Sequence, residues 1–263
     1  MHLRTLAVGL SALVLFSAGA HARAVTDLYS KQERQLSFDS CAELFPAATP
    51  IKTATVPATM KPLALCSDHF AVLYSQTSKT PLVVVERLNA AKLKDATGEE
   101  RTNQFYADPR IPKSGRAELS DYRAQHMDRG HQSPAADAPN ANAMAQSFAL
   151  SNMVPQDPTN NRKIWSKVEA DVRKFAVRAG GDVYVFTGPL FDAGYGTIGD
   201  NKVWVPTRLF KLVYDASSKR AWAYVLPNAE TRIQKPMDYD TFVKSTGLKL
   251  LGNLPVSGSV GRG

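Results

Sequence analysis

Asp128-Arg129-Gly130-His131, then Leu150-Ser151-Asn152-Met153-Val154-Pro155-Gln156, then Asn160-Asn161 followed by Trp165, Glu169 and Arg173: these segments, in this order, decide how the chain is read. Behind Asn161 the apolar residues Ile164, Trp165, Val168, Val172, Phe175 and Ala176 recur at three- and four-residue steps, which predicts a helix from Asn161 to Ala179. Gly180-Gly181 ends it. On that helix Asn161, Trp165, Glu169 and Arg173 are spaced by four and so share one face. Taken alone, the stripe reads more readily as a solvated helix face with a Glu169–Arg173 pair worth a few tenths of a kcal/mol. The Asp-Arg-Gly-His run makes it a site. Gly130 is expected to let the backbone bend so that Arg129 and His131 point into one place. A neighbouring arginine favours the neutral imidazole, the form a general base needs. Asp128 either orients that imidazole or holds an arginine.

Outward from this centre the chain reads as strands. Phe70–Tyr74, Pro81–Val85, Asp182–Phe186, Val203–Val205, Leu209–Tyr214 and Ala221–Leu226 are β-rich runs, the last two joined by a turn at Ser217-Ser218-Lys219. Residues 89–120 are charged and turn-rich, an unusually long loop unless it serves a site. A short terminal helix is expected within 238–251, and the Pro- and Ala-containing residues 25–60 are expected to wrap the surface. The fold class is α+β, with a central antiparallel or mixed β-sheet flanked by helices. The division is a leader at 1–22, an N-terminal extension at 23–60 and one domain at 61–255.

With 263 residues, 44% hydrophobic and 21% charged, the chain can bury a core and is neither disordered nor a disulfide-dense miniprotein. Arg4, the apolar run Leu6–Ala18 and Ala20-His21-Ala22 have the layout of a secretory signal peptide, and the run is short for a membrane anchor. Removal of that segment takes Arg4 with it, so a formal net charge of +8 becomes +7. A surplus of this size favours acidic partners without choosing among them. The product is expected to be periplasmic or secreted, with no membrane attachment after cleavage. In an oxidising compartment Cys41 and Cys66, the only two cysteines, are expected to pair rather than remain buried thiols. Two cysteines without neighbouring ligands do not make a structural zinc site.

The ordered motifs resemble the DNA/RNA non-specific endonucleases of the ββα-metal (His-Me finger) superfamily, a group that includes secreted bacterial nucleases and mitochondrial endonuclease G. Lys79–Leu88, Arg101-Thr-Asn-Gln-Phe105 with Asp108, Tyr184–Phe191, Val203–Pro206 and Phe210–Tyr214 resemble further segments of that family, so the likeness covers roughly residues 65 to 250. It implies an α+β fold with a ββα-metal motif and hydrolysis of DNA and RNA to 5′-phosphate and 3′-hydroxyl ends. It assigns His131 as general base, Asn161 as the direct ligand of Mg2+ (Mn2+ or another divalent cation being alternatives), and Glu169 as a carboxylate holding metal-bound water. It makes Arg129, Arg173 and Arg101 phosphate-binding arginines, places Asp128 in the site, and makes Asn152 a supporting amide. Asn160 fits less well than Asn161, because one residue turns it about 100° around a helix. His126 reads as surface or second shell, His69 as a packed histidine, and Trp165 and Trp204 as core. Partners would be nucleic acid, recognised through its phosphates, with an inhibitor protein as a further candidate for which no short motif exists. A catalytically inactive nucleic-acid-binding protein on the same fold is the alternative. DNA-versus-RNA preference and oligomeric state are not legible.

Overall fold

A computed structural model describes residues 28–29, 37–123 and 125–258; the leader expected at 1–22 lies outside the described residues. The β-branched and aromatic runs become strands β1 (Pro62–Cys66), β2 (Phe70–Ser75) and β3 (Thr80–Leu88), followed by helix α1 (Ala90–Asp95). A short strand β4 (Asp128–His131), helix α2 (Ala141–Ser147) and strand β5 (Met153–Gln156) carry the decisive motifs, and helix α3 (Ser166–Arg178) follows. Then come β6 (Val183–Leu190), β7 (Thr197–Ile198), β8 (Val203–Trp204), β9 (Arg208–Asp215), β10 (Arg220–Pro227), β11 (Met237–Asp238) and helix α4 (Tyr239–Thr246).

Seven strands form one sheet in the order β1-β2-β3-β6-β9-β10-β11, and every pairing in it is antiparallel. The expected Val203–Val205 strand is only two residues long and pairs with β7 outside that sheet. Side chains alternate across a strand, and β9 shows what each face does. Phe210, Leu212 and Tyr214 join the back core with Phe242 of α4. Leu209 meets Trp165 and Val168, and Val213 meets Val172 and Ala176, so the front face is covered by the helix that follows the motifs.

The N-terminal region departs from expectation. Phe38, Cys41, Leu44 and Phe45 lie in the back core rather than on the surface, delivered by short 3-10 turns at Asp39–Leu44 and Pro46–Ala48. Such turns have no sustained hydrophobic period, so the sequence pattern does not reveal them. A disulfide joins Cys41 to Cys66 at the end of β1, with Cα atoms 5.8 Å apart, and fastens this segment to the edge of the sheet.

The hairpin β4–β5 pairs His131 with Met153 and Asp128 with Gln156. The following helix starts earlier than predicted. The Asp157 carboxylate accepts from the Asn160 N–H at 2.7 Å, a helical turn opens at residue 158, and a wide π turn spans Asn160–Trp165 before α3 begins. π turns at helix starts are frequent at functional sites. Reduction of the Cys41–Cys66 bond should lower stability by about 3 kcal/mol. A thermal melt of the Cys41→Ser/Cys66→Ser protein checks this, and an unchanged Tm would refute it.

Candidate active site

Alternation along β4 puts Arg129 and His131 on one side of the hairpin and Gly130 on the other. Gly130 does not supply a bend, since its backbone is ordinary strand without positive φ. It supplies room: a Cβ there would collide with the Gln156 side chain. Gln156 needs that path because its Nε2 donates to Asn160 Oδ1 at 2.7 Å. Asn160 Nδ2 in turn donates to the carbonyls of Pro227 and Ala229 at 2.9 and 3.1 Å. Asn160 is thus fully buried and its amide is spent on fastening the helix start. Its neighbour Asn161 lines the cleft.

Asp128 settles between its two expected roles. Its carboxylate accepts from Asn161 Nδ2 at 2.8 Å and from Arg162 Nε and Nη2 at 2.8 and 2.6 Å. It holds an arginine and an amide, not the imidazole. Burial pushes its pKa up, but the hydrogen bonds from Arg162 and Asn161 outweigh this and hold it below the usual carboxylate range. With the Asn161 nitrogen committed to Asp128, the side-chain oxygen is the atom this residue has left to offer. That arrangement fits a hard, hydrated divalent cation, which keeps most of its waters and takes few protein oxygens. Among the described residues no three His, Cys, Asp or Glu side chains converge to cage a metal instead.

His131 stands in an aromatic corner, 9% exposed, edge-on to Phe148 at 4.9 Å and tilted against Phe105 at 5.7 Å. Its Nε2 is enclosed without a hydrogen-bond partner. Burial first, then the charges of Arg101 and Arg129, push its pKa down to about 3, so the imidazole is neutral in the free protein. The same rings carry the arginines: the Arg129 guanidinium lies 4.1 Å over Phe105 and that of Arg101 lies 5.0 Å over Phe148. Arg101 is exposed and also donates to Asn103 Oδ1 at 2.8 Å.

Asn152 does not face the cleft. It is fully buried, accepts the Ser133 N–H at 2.9 Å, and donates to the carbonyls of Ser133 and Ser147, both at 2.9 Å. It supports His131 from two residues away. The Ser133 hydroxyl continues the chain to Glu86 Oε1 on β3 at 2.8 Å. Nearby, His69 is packed 3.5 Å from Glu86, and His126 is exposed.

On α3 the polar stripe is not a solvated face. Trp165 is fully buried, and Arg173 pairs with Asp137 at 2.6 Å rather than with Glu169. Glu169, partly buried, is pushed up to about 7 by burial; Lys211 and Arg173 oppose the rise, and Asp137 and Glu86 add to it. Burial and the neighbouring Glu86 also raise Asp137, against the pull of Arg173.

The hairpin, the loop carrying Arg101 and the π turn enclose a cleft of about 450 Å³, lined by Arg101, Phe105, Tyr122, Asp128, Arg129 and Asn161, among others. Arg123 and Arg162 also line it, and neither was singled out from sequence. Arg162 adjoins Asn161 and was legible as such. Arg123 and Phe105 sit in loops whose packing has no sequence period.

The β4–β5 hairpin thus presents a neutral histidine and an arginine, and the helix start beside it presents an amide oxygen to the cleft. The chain belongs to the DNA/RNA non-specific endonuclease family, whose sequence profile matches residues 47–256. It is 34% identical over 210 residues to Nuclease C1 of Cunninghamella echinulata var. echinulata, covering 72% of this chain and 83% of that one. It is 31% identical over 207 residues to the mitochondrial Nuclease 1 of Schizosaccharomyces pombe, covering 70% of this chain and 64% of that relative's length. Among solved structures it superposes on a chain of the EndoG/EndoGI complex with a TM-score of 0.67 and 27% identity, over 76% of this chain and 91% of that one.

Glu169 yields a stability prediction for the metal-free protein. Its folded pKa of about 7 exceeds the ordinary value of 4.5, so its contribution is full below 4.5 and is lost as pH rises through 7. Glu169→Gln removes this loss. In EDTA the variant should gain on wild type by roughly 3 kcal/mol between pH 4.5 and 8. Chemical denaturation at both pH values measures it, and parallel curves would refute the assignment.

Proposed function

We propose that the protein is an exported, metal-dependent endonuclease that hydrolyses phosphodiester bonds in DNA and RNA with little sequence preference. One observation carries the reading: Asp128 takes the Asn161 amide nitrogen at 2.8 Å, which leaves its oxygen to a cleft lined by Arg101 and Arg129, the two cations whose charges also act on the buried, neutral His131. Contacts of this kind address phosphate and not base edges, and they make binding salt-sensitive.

The phosphodiester enters between Arg101 and Arg129, whose planar, permanently charged forks suit phosphate oxygens. Their engagement offsets the positive charges that depress the imidazole, which raises the basicity of His131 when substrate is in place. His131 then takes a proton from the attacking water. The water oxygen bonds to phosphorus, the bond to the 3′ oxygen breaks, and the products carry a 5′-phosphate and a 3′-hydroxyl. Asn161 and, through water, Glu169 would hold Mg2+ or Mn2+, which supplies charge stabilisation at the leaving oxygen. Arg173, tied to Asp137, and Asn152, tied to Ser133, keep the helix and the hairpin in register.

Export is supported by the leader-like residues 1–22 together with the Cys41–Cys66 disulfide, which suits an oxidising periplasmic or extracellular setting. The related EndoG chain was solved with EndoGI. An inhibitor protein covering the basic cleft is the corresponding partner for this chain.

The test incubates mature protein with supercoiled plasmid and with total RNA, in Mg2+ and in EDTA. Both substrates should be lost only with metal. His131→Ala should cut turnover by about 10²-fold or more while DNA binding stays near wild type. Asn161→Ala should raise the metal concentration needed. Near-wild-type turnover in His131→Ala would overturn the base assignment. Salt-sensitive binding without cleavage under any metal would make the protein a binding module.

A further inference from the structure

β9 carries one residue that its surroundings do not explain. Lys211 is 1% exposed at the middle of the sheet, and its neighbours Leu209, Phe210, Leu212 and Val213 are all fully buried and apolar. A buried ammonium is costly unless it is paired. The Lys211 Nζ donates to Thr187 Oγ1, its register partner on β6, at 2.6 Å and stands 5.6 Å from the centre of the Trp165 ring. A hydroxyl and a ring face do not neutralise a full charge.

The face on which it lies turns it toward the covering helix. Lys211 lies on the face of β9 turned to α3, between Leu209, which packs on Trp165 and Val168, and Val213, which packs on Val172 and Ala176. The stretch of helix between those apolar clusters carries Glu169, one turn after Trp165. The ammonium is also the strongest influence opposing the effect of burial on Glu169.

We propose that Lys211 is a positioning residue for the hydrolytic centre, its buried ammonium being the fixed counter-charge from the sheet that holds the Glu169 carboxylate in place beside Asn161. The inference rests on the proposed nuclease function and deepens it. It explains why a central strand of an apolar sheet tolerates a lysine, and why Thr187, itself fully buried, stands opposite. β9 is an interior strand of the seven-stranded sheet, paired on both sides by β6 and β10. A carboxylate referenced to it stays in register even though the π turn before α3 is irregular.

The test compares Lys211→Met, Lys211→Arg and Thr187→Val with wild type in the full mature protein. Mn2+ binding in the absence of DNA is read by electron paramagnetic resonance, and kcat and KM are read on plasmid. Loss of a group that orients a metal-site ligand typically costs 10- to 100-fold in affinity or rate. Lys211→Met should therefore weaken Mn2+ binding by about 10-fold or more and lower kcat, with KM for DNA little changed. Lys211→Arg, which keeps the charge, should recover part of both. Thr187→Val, which removes only the acceptor, should shift both in the same direction by less. A folded Lys211→Met protein with wild-type Mn2+ affinity and kcat would overturn the proposal. If that variant does not fold, wild-type values in Thr187→Val would overturn it instead. Wild-type protein that binds Mn2+ but cuts nothing would defeat the nuclease reading, and Lys211 would then be judged on Mn2+ affinity alone.

Discussion

The centre depends on a buried amide. Asn152 closes three hydrogen bonds onto the backbone of Ser133 and Ser147, and Ser133 passes the connection to Glu86 in the sheet. The hairpin that carries His131 is only four residues a side, too short to hold its own register against thermal motion. What fixes it is this network, in a low-dielectric setting where each bond is strong and each unpaired group is costly. A change at Asn152 would leave the Ser133 N–H and two carbonyls without partners. Its effect on catalysis would therefore pass through the placement of His131, not through contact with substrate.

The second constraint is charge. Arg101 and Arg129 rest on the faces of the aromatic rings that also enclose His131. Cation–π contact keeps the cations near an imidazole that they depress. The free protein thus holds the His131 imidazole neutral, with two arginines beside it that an incoming anion would pair with. The helix side differs: Asn161 is neutral with its nitrogen held by Asp128, and burial raises Glu169.

That Arg129 and His131 point into one place was legible from sequence, but by the wrong device: strand alternation in β4, not a bend at Gly130, puts them on one side. The β9–β10 hairpin was legible through its β-rich runs and the Ser217-Ser218-Lys219 turn. The helix start was not. The apolar repeat locates α3, but the π turn is imposed by Asn160 bonding to Pro227 and Ala229, and by Asp128 pulling on Asn161 and Arg162. Those are contacts across more than thirty residues, and no local propensity encodes them. Gly130 shows the same limit from another side. Its identity is set by a side chain that reaches across from the partner strand, so reading it as a hinge was chemically reasonable and structurally wrong. Asp137 gave no sign at all, because its only marker is an arginine 36 residues away.

The front of the sheet shows why a buried polar seam of this kind needs a large apolar body. Glu86, Asp137, Glu169, Lys211 and Arg173 all lie between sheet and helix, where desolvation works against each charge. Replacing such a set with apolar residues of similar volume is often neutral or stabilising. Its retention here is therefore not explained by stability. The back core, with Phe38, Phe45, Phe186, Phe210 and Phe242, bears no comparable charge and supplies the burial that offsets the cost. The disulfide fastens the N-terminal part of that back core to the sheet edge. The division of labour follows the two faces of one sheet: apolar packing behind it holds the fold, and the polar seam in front holds the geometry of the site.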